Sequence, residues 1–82
     1  MEVFKETKYL AFVIAPTEKK TLTVAIINRH HQEIIGEIKW FAKWRQYCFF
    51  PYKDTVWNTT CMDDVHSVIK ELMEQRKPIK KI

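Results

Sequence analysis

Only one stretch of this chain carries a helical apolar period, and it comes near the end. Met62, Val65, Ile69, Leu72 and Met73, with Val68 beside them, recur at the spacing of one helix face. Everything before it reads as strand and turn. A single helix can cover only one face of a sheet. The opposite face must then meet solvent, a partner or another copy of the chain.

The strands are set by apolar runs and by alternation. Residues 9–15 are apolar throughout and are followed by Pro16 and Thr17, as in a strand buried on both faces or a central one. Residues 16–20 form a polar turn. Residues 21–27 alternate, with Leu22, Val24 and Ile26 on one face and Thr21, Thr23 and Ala25 on the other. Residues 28–32 make the next turn. Residues 34–41 and 46–51 read as the third and fourth strands, and residues 55–58 as a short fifth after the Tyr52-Lys53-Asp54 turn. A helix over about residues 61–76 follows, with Thr59 or Thr60 as its cap. Asp63 and Asp64 suit its positive end, Arg76 and Lys77 its negative end, and Pro78 lies just beyond. The expectation is an α+β fold, an antiparallel meander of four to five strands packed on one C-terminal helix.

In the hairpin of the last two long strands, the register that separates an apolar from a mixed face sets Ile38 opposite Tyr47, Gly36 opposite Phe49 and Trp40 opposite Arg45. It sets Phe41 with Trp44, Lys39 with Gln46 and Glu37 with Cys48 on the other face. Trp40, Tyr47 and Phe49 then pack beneath the helix, and Arg45 stacks on Trp40 or faces outward.

Length and composition narrow the classes. The chain has 82 residues, of which 46% are hydrophobic, and a single glycine leaves no flexible linker. One domain over residues 1–82, ending in a basic tail at 77–82, is expected. The longest apolar run is strand-sized, and the first residues lack the basic-then-apolar order of a signal peptide. A cytoplasmic location without membrane association follows, and Cys48 and Cys61 are expected as free thiols there. The net charge of +4 favours anionic partners, or else serves solubility through the tail.

No pattern for catalysis or metal binding stands out. His30-His31 and His66 do not have zinc-ligand spacing, and no CxxC pair exists. Asp63 and His66 share a helix face, yet acids at a helix start are expected for electrostatic reasons alone. Cys61 has no histidine placed to act as its base. Phosphate loops, dinucleotide fingerprints and nucleophile elbows are absent. The expectation is a protein that is not an enzyme, with no cofactor, no metal site and no catalytic residue. Gly36, inside a strand, marks a bulge or a close packing contact.

The richest chemistry lies between Gly36 and Pro51, which hold two of the three tryptophans with Lys39, Lys43 and Arg45 interleaved among aromatics. Flat rings stack on bases, and cations meet phosphates. Arg45 can grip a phosphate with two donors, which a lysine cannot. The candidate contact surface is Lys39, Phe41, Lys43, Trp44, Arg45 and Gln46, taking a nucleotide or a single-stranded nucleic acid. The same uncovered face also suits a protein partner or a homodimer, where aromatics are enriched.

The stretch also carries a resemblance. The pattern G-x-I-K-W-x-x-x-W-R-Q-Y-x-F-x-P over residues 36–51 resembles a family of small uncharacterised proteins from phages, prophages and bacterial genomes. The likeness extends through Thr55-Val56-Trp57-Asn58 into the final helix. It implies no specific activity. It does imply a context in which small proteins inhibit host or defence factors, by binding a host protein or by sequestering a nucleotide signal.

Overall fold

Alternation and β-branched residues build five strands, and short polar turns join them in sequence. The computed structural model describes residues 2–76. The strands are β1 (Glu2–Glu6), β2 (Leu10–Ala15), β3 (Thr23–Asn28), β4 (Glu33–Phe41) and β5 (Gln46–Pro51), and the helix α1 spans Thr59–Arg76. The sheet order is β1-β2-β3-β4-β5, with every neighbouring pair antiparallel. This is the expected meander closed by one helix. The basic tail expected at 77–82 lies outside the described residues.

The helix packs on one face because that face carries the large aliphatics. Leu10, Phe12, Val24, Ile26, Ile38 and Tyr47 from the sheet meet Val65, Val68 and Leu72 from α1 in one buried cluster. Each such side chain contributes about 1.5–3 kcal/mol relative to exposure. Trp40, Phe49, Ile69 and Met73 pack at its margin. Met62, expected in the helix stripe, is instead 40% exposed, while its neighbour Cys61 packs against the core.

Two expectations about the elements need correction. Residues 55–58 do not join the sheet. They form the connection to α1, where Trp57 sets its ring 4.7 Å from that of Phe49. The fifth strand is β1, at the other edge. Its charges at Glu2, Lys5 and Glu6 hide it, and a bulge between Val3 and Lys5 interrupts its register with β2. The Lys5 ammonium donates to Ser67 Oγ (2.8 Å) and Glu71 Oε2 (2.5 Å), fastening this edge strand to the helix. The helix cap is also not a threonine. Asn58 Oδ1 accepts the Cys61 N–H at 2.8 Å, one residue before the helix begins, so no acid falls in the first turn.

The β4–β5 register differs from expectation by two residues. Ile38 pairs with Phe49, Trp40 with Tyr47 and Phe41 with Gln46. The cause is the loop at residues 42–45. Arg45 adopts φ 53° and donates its N–H to the Phe41 carbonyl at 2.9 Å, which places it in the turn rather than in the strand. A shift of two preserves the side-chain faces. The β3–β4 loop repeats the device. Asn28 pairs with Glu33, Gln32 takes φ 58°, and the Gln32 N–H meets the Asn28 carbonyl at 2.6 Å.

Candidate functional site

The β4–β5 hairpin carries all six residues of the candidate surface, but in unequal roles. Lys39, Phe41 and Gln46 lie on the sheet face away from α1, with Phe41 and Gln46 directly paired. Lys43, Trp44 and Arg45 occupy the loop. Trp44 is 66% exposed. It is not loose: its N–H donates to the Phe41 carbonyl at 3.1 Å, and its ring meets that of Phe41 edge-on at 5.1 Å. Phe41 in turn meets Phe50 at 6.2 Å. The hairpin thus presents a row of three rings ending in an exposed indole.

Phe50 was not among the expected contact residues. Period-two alternation places it with Gln46 and Cys48, so the signal was there in the strand pattern. Lys39 belongs to this row but has its charge matched. Its ammonium lies 3.0 Å from Glu37 Oε1 and 4.9 Å from the centre of the Phe50 ring. Lys43 and Arg45 are exposed and form no ion pair among the described residues. The hairpin's uncompensated charge therefore sits on either side of Trp44.

Arg45 does not stack on Trp40. Its left-handed backbone carries it out of the strand, and Trp40 meets Tyr47 edge-on at 5.3 Å instead. Tyr47 is held from two sides. Its hydroxyl accepts the Leu22 N–H at 3.1 Å, and its own N–H donates to Met73 Sδ at 3.4 Å. These contacts fix the root of the hairpin to β3 and to the helix.

The meander brings a further cation to the same end. The β2–β3 connection and the β4–β5 loop emerge on one side of the sheet, where α1 also ends. There Lys20, Leu22, Tyr47, Leu72 and Gln75 line a cleft of about 170 Å³. No local motif announces this neighbour, because Lys20 and Tyr47 are far apart in the chain.

The remaining candidates stay apart. His30 and His31 stack edge-on at 4.8 Å in the β3–β4 loop, while His66 is exposed on α1. No group of three His, Cys, Asp or Glu among the described residues could hold a metal ion. Cys48 and Cys61 are free thiols. No helix among the described residues is long and apolar enough to cross a membrane.

Comparison with known proteins finds a relative from a phage. It is 35% identical over 74 residues to an "Uncharacterized 9.3 kDa protein" of Acholeplasma phage L2, an alignment that covers 89% of this chain and 95% of that protein. No protein-family model and no solved structure matches the chain.

Proposed function

The chain belongs to the family of this phage L2 protein, and we propose that it is a small non-enzymatic binding protein that holds single-stranded nucleic acid at the β4–β5 hairpin. One observation carries the reading: an indole two-thirds exposed, braced from below by Phe41 and flanked in sequence by Lys43 and Arg45. An exposed large apolar ring held rigidly at a loop tip is a stacking platform. In this arrangement Trp44 and Phe41 take successive bases, Lys43 and Arg45 take the flanking phosphates, and Gln46 offers an amide to a base edge. Lys39 holds Phe50 in place and contributes little net charge. The surface is a projecting turn rather than an enclosed pocket, which favours a strand over a free nucleotide.

The test is quenching of tryptophan emission by short single strands of DNA and RNA. Trp40 and Trp57 are partly covered, so a bound base acts mainly on Trp44. Trp44→Ala should retain the fold and lose about 1–3 kcal/mol of affinity, roughly 5- to 150-fold. A folded variant that binds as tightly as the parent would remove the hairpin from the interface.

A protein partner, such as a host factor, is the second reading. It is favoured by exposed apolar side chains away from the 42–45 loop, Val56 at 92% and Ile34, near the start of β4, at 48%. Binding to a host protein that ignores Trp44→Ala and varies little with salt would select it.

A further inference from the structure

We propose that the cleft between the β1–β2 and β3–β4 turns is a binding site for a phosphate group. The cleft has a volume of about 340 Å³ and is lined by Lys8, Tyr9, Arg29 and His30, with no carboxylate among them. It stands at the opposite end of the sheet from Trp44. β4 has 9 residues, so the two ends are about 30 Å apart. A single base stacked on Trp44 cannot reach it, and the site stands independently of the hairpin.

The turns are stitched together so that the donors converge. The Arg29 N–H donates to the Tyr9 carbonyl at 2.9 Å, and its Nη1 donates to the Thr7 carbonyl at 2.5 Å. These bonds fix both ends of the arginine while leaving most of its donor fork unspent. The His30 N–H is held by Asn28 Oδ1 at 2.8 Å, which fixes the backbone beside it. The Lys8 ammonium rests 5.3 Å from the centre of the Tyr9 ring. A lysine, an arginine and an imidazole therefore share one concave surface floored by a ring that is 47% exposed. An anchored guanidinium recognises phosphate oxygens with two parallel bonds and loses little freedom in doing so. Lys8 adds a point charge. The exposed Tyr9 face gives the group that carries the phosphate a place to rest.

The phosphate could be a free or terminal monoester, or a diester within a nucleic-acid backbone, and the arms of one experiment separate these sources. Amide NMR spectra would be followed as inorganic phosphate is added to the protein, with sodium chloride at matched ionic strength as reference. Saturable shifts confined to residues 7–10 and 28–31 are the expected result. In the Lys8→Gln/His30→Gln double variant, whose changed side chains lie at the surface, the response should weaken about tenfold. In Trp44→Ala it should be unchanged. Shifts matched by sodium chloride, or undiminished in the double variant, would overturn the site. Trinucleotides with and without a terminal phosphate then assign the source. A response to the phosphorylated one alone identifies a monoester site, and a response to both identifies a backbone site. Perturbation at residues 42–46 with none in the cleft would overturn this proposal while leaving the hairpin reading intact. The reverse pattern would do the opposite.

Discussion

Gln32 and Arg45 close equivalent four-residue loops in a left-handed conformation that ordinarily falls to glycine. For a residue with a Cβ this conformation costs about 1–2 kcal/mol. Glycine removes that strain but adds freedom to the unfolded chain, so the net gain is smaller. Gln32→Gly and Arg45→Gly should each stabilise the fold by roughly 0.5–1 kcal/mol, seen as an increase in Tm of about 2–8 °C. The pair separates strain from function. Arg45→Gly should also weaken nucleic-acid binding, since it removes a phosphate contact, while Gln32→Gly should not. Equal effects on affinity would place Arg45 outside the interface. The same residue explains why the hairpin register was not legible. An arginine between Trp44 and Gln46 reads as a strand residue, because nothing in its type announces a positive φ. With a glycine there, the four-residue loop would have been plain.

At the scale of elements, Gly36 shows what a strand interior can demand. A Cβ added there would lie 3.2 Å from Phe49 Cε1, from the Phe50 carbonyl oxygen and from Trp57 Cζ2. One of these neighbours is backbone, and the two rings are packed against each other. Gly36→Ala should therefore destabilise by about 1–3 kcal/mol in urea titration and alter the near-ultraviolet circular dichroism of Trp57. An unchanged midpoint would mean that the Trp57 connection yields easily. A glycine inside a strand points to a bulge or a close contact, and here both occur: the β3–β4 register shifts beside it, between Ile26 and Ile27. Periodicity exposed β2 to β5 and α1, because each buries a face. It missed β1, which buries little and whose lysine is directed to the helix rather than to water. The Lys5–Glu71 pair is half exposed, so it contributes no more than about 1 kcal/mol. As an edge strand held by few buried contacts, β1 should show the fastest amide exchange of the five strands. Protection there equal to that of β3 would contradict this.

For the whole molecule, where charge is free matters more than how much there is. Alternation alone tells which hairpin residues share a face. It does not reveal that Glu37 neutralises Lys39, nor that turns distant in sequence converge at each end of the sheet. A strand bound at the hairpin should therefore feel two cations, Lys43 and Arg45. For single strands the logarithm of affinity falls with the logarithm of salt by about 0.7 per phosphate neutralised, so two contacts give a slope of about −1.4. Lys43→Gln and Arg45→Gln should each reduce the slope by about 0.7. Lys39→Gln should leave it nearly unchanged, because its charge is already matched within the row of rings. Trp44→Ala should lower affinity at every salt concentration without changing the slope, since stacking releases no counterions. Titrations over a range of salt with these four variants would distinguish stacking from charge contact. If Lys39→Gln lowers the slope as much as Lys43→Gln, the strand must cross the open sheet face rather than the loop, displacing Glu37 from its lysine.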